Sequence, residues 1–145
     1  MILHLTDRVA VAAQLAPADI ATAAAAGFTT IVNNRPDDEV PGQPAGAAIA
    51  AAASAAGLHY VAIPVDHYGI DAAQIDATAA VLSAAAGPVL AYCRSGTRSA
   101  TLWALAAATL GDDPDAIIAA AMRGGFALAA MRPTLARLNA ARSRP

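Results

Sequence analysis

Lysine is absent from this chain, cysteine occurs once, and aromatic side chains make up only 4% of its 145 residues. Each scarcity excludes something. A lone cysteine has no partner within the chain, so no intramolecular disulfide staples the fold, and the thiol of Cys93 is either buried filler or chemistry. All nine basic residues are arginine and the net charge is −2, so no general attraction for nucleic acid is expected. Five of those arginines lie between Arg123 and Arg144, where they read as the solvated face of a last helix. Long apolar runs are missing too. The uncharged stretches 40–58 and 77–93 are broken by Gly and Pro and are mostly alanine, so neither reads as a membrane span. The first seven residues lack a basic start and a full apolar core, which excludes a secretory signal and makes a cytoplasmic location the expectation. His4, His59 and His67 are scattered without metal-ligand spacing, and no Walker-type loop or dinucleotide fingerprint occurs; neither a metal nor a nucleotide cofactor is implied.

What is abundant is alanine, nearly a third of the chain within a hydrophobic content of 57%. Alanine is the best helix former and loses no side-chain entropy, so helices should pack closely on their neighbours. The length fits one domain over residues 1–145. Residues 8–14, with Val9 and Val11 at period two, predict a first strand, and Pro17 and Asp19 open a helix that stops at Gly27. A β-branched strand follows over 28–33, then a polar loop over 34–44 with three prolines and Asp37-Asp38-Glu39. A helix over 45–56 ends at Gly57, and a strand over 59–65 has Pro64 at its end or at a sheet edge. Asp71 is placed to cap a helix over 72–86, and Gly87-Pro88 separates it from a strand over 89–92. Helices are predicted over 99–110, 114–123 and 127–141, with Trp103 as core packing. Strands alternating with helices indicate a single α/β domain with a mainly parallel sheet of about four to five strands flanked by helices. In such sheets ligands bind outside the carboxyl ends of the strands, where Asn33 to Arg35, Val65 to His67 and Cys93 to Arg98 all fall.

Cys93 stands between a buried strand and a helix N-terminus, where unpaired backbone amides and the helix dipole favour negative charge. With arginine close by, such positions lower a thiol pKa from about 8.5 to roughly 3.5–7.5. Gly96 lets the loop curl, and Arg98 offers a planar fork for an oxyanion. An inert, buried cysteine would not require Arg94, Ser95, Gly96, Thr97 and Arg98 around it, and arginines beside it would lack an anion to pair with. Cys93 therefore reads as the nucleophile, and Arg94, Ser95, Gly96 and Thr97 as substrate-binding loop. Arg35 ends the second predicted strand; it either adds positive charge to the same crevice or pairs with Asp37 or Asp38. Tyr68, beside His67, belongs to the mouth.

The run of strand, Cys-to-Arg loop and helix resembles the tyrosine-phosphatase fold. The loop has four residues between Cys93 and Arg98, one fewer than in such phosphatases, and the pattern Cys93-Arg94-Ser95-Gly96-Thr97-Arg98 is similar to the active-site loop of rhodanese sulfurtransferases. Both features, together with Asn33-Asn34-Arg35-Pro36-Asp37, Pro41-Gly42-Gln43-Pro44, Ala55-Ala56-Gly57-Leu58 and Ile63-Pro64-Val65, resemble a bacterial family with a phosphatase-like fold whose members stand alone or are fused to β-lactamase-like hydrolases or sulfide-oxidising enzymes. The resemblance implies sulfur transfer, with phosphatase activity as the alternative. A shorter loop tightens the ring of amides, which favours a terminal sulfane sulfur over a tetrahedral phosphoryl group. The cycle this implies starts from thiosulfate or glutathione persulfide, passes through a Cys93 persulfide and ends on a thiol, sulfite or cyanide. A second alternative is a non-catalytic module that senses persulfide or oxidation. The resemblance also gives Ser99 a hydroxyl bond to the thiolate, against an ordinary helix cap. It gives Asp66 a general-acid role, against that of a loop anchor.

Overall fold

The computed structural model describes residues 1–142. Five strands form one sheet in the order β1-β2-β5-β3-β4, where β1 is Ile2–His4, β2 Val9–Ala12, β3 Thr30–Asn33, β4 His59–Ala62 and β5 Val89–Tyr92. All neighbours are parallel except β1 and β2. The antiparallel β1 at the sheet edge is an element that the sequence reading left unassigned. It is held in register from Ile2 opposite Ala12 to His4 opposite Ala10.

The central strands are covered on both faces, and their residues alternate between two cores. Val9, Val11, Val32, Val89 and Ala91 face one side, packed against helices α3 (Ala72–Ala84), α4 (Thr97–Thr109), α5 (Pro114–Arg123) and α6 (Arg132–Arg142). Ala10, Ala12, Ile31, Leu90 and Tyr92 face the other, against α1 (Pro17–Ala25) and α2 (Gly46–Ala55). Alanine composition matters most in α4. This helix is buried on almost every side, with Ala100, Ala104, Ala106, Ala107 and Ala108 between the sheet and the outer helices. Small side chains let the backbones approach closely.

Some helix boundaries depart from expectation, and α3 stops at Ala84 instead of residue 86. The anion loop passes into α4 at Thr97, not Ser99. The last predicted helix, 127–141, is a short 3-10 turn at Ala129–Met131 followed by α6. Of the basic cluster near the C-terminus, Arg132 pairs with Asp115 at 2.8 Å on the exposed surface and Arg123 donates to the Leu5 carbonyl. Arg144 lies outside the described residues. No helix among the described residues is long and apolar enough to cross a membrane.

The register decides where the site forms. Ala12 lies opposite Tyr92, Tyr92 opposite Asn33, and Asn33 opposite Ala62, so four parallel strands end at one level. Their loops continue the ladder: the Asn34 amide donates to the Tyr92 carbonyl at 2.8 Å, Val65 to Asn34 at 2.9 Å, and Gln14 to Arg94 at 3.3 Å. Segments distant in sequence thus leave the sheet side by side.

Candidate active site

β5 delivers Cys93 to the N-terminus of α4. Gly96 caps that helix with φ 93° and ψ −18°, a left-handed conformation in which a side chain costs about 1–2 kcal/mol. The turn brings its amide to 3.1 Å from Cys93 Sγ. Cys93 is fully buried, and burial pushes its pKa up. The amides of Ser99, Ser95 and Gly96 and the Ser99 hydroxyl outweigh that effect and hold the thiol below its ordinary value. This is the thiolate-stabilising cup expected of a helix N-terminus. Gly96→Ala should disturb it twice, through the strained φ and through a Cβ placed 3.2 Å from Phe126 Cζ. Stability is expected to fall by about 1–2 kcal/mol in urea unfolding, and the pH midpoint of Cys93 alkylation by iodoacetamide is expected to rise.

The Ser99 hydroxyl has one proton and two acceptors. It donates to Asn34 Oδ1 at 2.8 Å, and it also lies in hydrogen-bonding reach of the sulfur. Asn34, itself buried and donating to the Ile63 carbonyl at 2.8 Å, holds the hydroxyl close to the thiol. The reading of Ser99 as a plain helix cap is not what the contacts show, since its hydroxyl bonds Asn34 across the sheet end.

Arg98 curls back over the loop and ties three segments together. Its Nη1 donates to Glu39 Oε2 and to the Val65 carbonyl, each at 2.7 Å, and its Nη2 donates to Glu39 Oε1 at 2.9 Å. Glu39 also accepts from Arg35 Nε at 2.9 Å. The hydrogen bond from Arg98 leads the forces that hold the Glu39 carboxyl down at about 2, with Arg35 adding to it against partial burial. The Arg98 pKa is raised, first by Glu39 and then by the charge and sulfur of Cys93. Two guanidiniums against one carboxylate leave a net positive charge beside the thiol.

A crevice of about 560 Å³ opens here, lined by Glu39, Asp66, His67, Arg94 and Arg98. Asp66, placed there by the loop after β4, is exposed, and its Oδ1 accepts from the Tyr68 amide at 2.9 Å. His67 stacks on Tyr68 with ring centroids 4.2 Å apart. Ser95 and Thr97 bond each other, Oγ to Oγ1, at 3.2 Å on the outer side of the loop. Arg35 is close to the crevice but not in it: its side chain is only 4% exposed. Its carboxylate partner is Glu39, not Asp37 or Asp38. Asp37 instead accepts from the Gly46 amide at 2.8 Å at the start of α2. Sequence reading gives Glu39 no place in the site, and it places Asn34 at the strand end without a role.

Residues 2–110 match the family model described as the phosphatase-like domain of the beta-lactamase hydrolase-like protein. The chain belongs to this family. It is 42% identical over 103 residues to the beta-lactamase hydrolase-like protein of Agrobacterium fabrum, a match that covers 71% of this chain and 24% of that protein. The chain thus spans about a quarter of the length of the curated relatives it matches. A solved structure from Neisseria meningitidis Z2491, described as that of a candidate phosphatase, is 35% identical and superposes with a TM-score of 0.79, covering 94% of this chain and 97% of that one. The fold alone is shared with Tk-PTP, at 16% identity, TM-score 0.72 and 96% coverage of each chain. It is a tyrosine-phosphatase-like fold.

These findings overturn the sulfurtransferase reading, and with it the rhodanese assignment. The family is phosphatase-like, and its 35%-identical solved neighbour is a candidate phosphatase. The error lay in reading the short Cys93-to-Arg98 loop, by its rhodanese-type pattern and by its length, as selective for sulfur. One residue fewer does not close or flatten the cup, because the amides of Ser95, Gly96 and Ser99 still converge on the sulfur and Arg98 still lies over it. The expectation of thiosulfate or glutathione persulfide as donor came with the rhodanese-type resemblance, to which loop length added a second reason.

Proposed function

We propose that the chain is a cysteine-dependent phosphatase of the tyrosine-phosphatase type, hydrolysing aryl phosphate monoesters through a phosphocysteine on Cys93. The observation that carries this reading is the Gly96 amide 3.1 Å from Cys93 Sγ, in a loop whose Arg98 still has donors to offer. A thiolate held in such a cup attacks phosphorus in line with the leaving oxygen. The transferred group carries negative charge on its equatorial oxygens, and fixed amides and a guanidinium stabilise that charge without reorganising. The leaving oxygen needs a proton, and Asp66 in the same crevice is the group to supply it. In the second half, water attacks the phosphocysteine, Asp66 takes its proton, phosphate departs, and the sulfur regains its electron pair. The Ser99 hydroxyl can then turn from Asn34 to the emerging thiolate.

Turnover of para-nitrophenyl phosphate, with a gain of one phosphoryl group on Cys93 in rapidly quenched protein, tests the reading. A protein that releases no phosphate from any aryl ester, under conditions where Cys93 is alkylated normally, would contradict it. Asp66→Asn separates the acid step. For phenyl phosphate, whose leaving group needs a proton, kcat is expected to fall roughly 10²-fold or more. For para-nitrophenyl phosphate, which leaves as a stable anion, the loss should be much smaller. Equal losses on both substrates would remove Asp66 from the acid role.

A further inference from the structure

Arg35 is a buried charge that neither core requires. Its side chain is 4% exposed, and its Nη2 is buried without a hydrogen-bond partner among the described residues. Buried ion pairs are weak sources of stability, because desolvation offsets most of the attraction, and an unpaired buried donor adds to the deficit. A hydrophobic side chain of similar length would fill the space at lower cost. What such pairs do supply is a fixed geometry.

That geometry runs through Glu39 to Arg98. Glu39 Oε1 receives Arg35 Nε at 2.9 Å and Arg98 Nη2 at 2.9 Å, while Oε2 receives Arg98 Nη1 at 2.7 Å. Arg35 is itself anchored at two further points. Its amide donates to Asn33 Oδ1 at 2.9 Å, and its Nη1 donates to Gln14 Oε1 at 3.1 Å in the loop after β2. Glu39 sits on an irregular loop and its side chain is 24% exposed, so without Arg35 the carboxylate could rotate toward water. With Nη1 engaged by Glu39 and Val65 and one Nη2 proton engaged by Glu39, Arg98 keeps Nε and the other Nη2 proton. That pair is one edge of the fork, the arrangement that grips two oxygens of one phosphoryl group.

We propose that Arg35 is a positioning residue, which holds Glu39 so that the free edge of Arg98 is aimed at the oxyanion above Cys93. The proposal rests on the phosphatase reading only for the identity of that oxyanion.

The test is a double-mutant cycle of Arg35→Met, Glu39→Gln and both together. Two readouts are taken: kcat/KM for para-nitrophenyl phosphate, and the concentration of inorganic phosphate that protects Cys93 from iodoacetamide. Near-ultraviolet circular dichroism and thermal unfolding establish that each variant is folded. Arg35→Met is expected to weaken both readouts about tenfold, the scale of one charge-assisted hydrogen bond, and the double variant to be no worse than Glu39→Gln alone. Losses that multiply in the double variant, or a folded Arg35→Met that matches the wild type, would overturn the proposal, as would failure of phosphate to protect the wild type. If Arg35→Met does not fold, Arg35→Lys serves in its place: one ammonium cannot hold Glu39 and Gln14 together, so the same loss is expected. Phosphate protection requires no turnover. A wild type that binds phosphate but hydrolyses no ester removes the phosphatase reading and leaves the cycle to decide on Arg35.

Discussion

Replacing Cys93 by serine is expected to lower aryl-phosphate turnover by roughly 10⁴-fold or more while leaving phosphate binding intact. The asymmetry follows from what the loop stabilises. Its amides bring a thiol below its ordinary pKa, but a hydroxyl starts so much higher that the same donors leave it protonated. Loss of the sulfur's charge should even ease entry of a phosphate dianion. The measurement is a pre-steady-state burst of nitrophenolate, present in the wild type and absent in the variant. A variant retaining more than about a hundredth of wild-type turnover would show that phosphorus is not transferred to this atom. The acid limb of the wild-type profile should follow the thiol: as pH falls through the Cys93 pKa, the nucleophile is protonated and the rate drops. Glu39, held at about 2, stays ionised throughout and contributes no inflection in the working range.

Arg98→Lys is expected to reduce kcat/KM by roughly 10³-fold, although the charge is kept. An ammonium is a point donor. It cannot hold Glu39 and the Val65 carbonyl while presenting two parallel N–H groups to phosphate. The variant should also carry a signature in stability. In the wild type the depressed Glu39 carboxyl contributes stability that is present above its ordinary value of 4.5 and is lost as pH falls toward about 2. Without the Arg98 fork that carboxyl moves up, so the variant should lose less stability than the wild type on acidification across this window. Denaturant unfolding at several pH values reads the difference. Equal acid sensitivity would mean that the fork contributes nothing to Glu39, and a variant with near-normal kcat/KM would remove Arg98 from phosphoryl binding.

Much of the site was legible because its parts are local in sequence. Cys93 through Ser99 are contiguous, and a strand followed by that loop leaves few places for the helix to start. The meeting of the loops at residues 33–35, 65–67 and 93–98 follows from parallel strands ending together, which alternation of strand and helix already implies. Glu39 was not legible. Its pairing with Arg98 joins residues 59 apart, and nothing in Asp37-Asp38-Glu39 distinguishes the third acid from the first two. The edge strand Ile2–His4 was hidden for a different reason: three residues are too few to show a period. The choice between sulfur and phosphorus failed on chemistry. A cup of amides with a guanidinium lid is defined by charge and donors, and one residue of loop length does not specify which anion it accepts.

The rod that carries the anion loop at its tip is buried along most of its length. Ala106 lies ten residues from Gly96, about 15 Å along the axis of α4. Its side chain is fully buried, so an added methyl group there must be accommodated by its packed neighbours. The rod would have to slide or tilt, and its tip would carry the amides off the sulfur. The interior of this protein and its candidate site are therefore coupled, and a library of mutations far from Cys93 should contain variants that fold soundly yet turn over slowly.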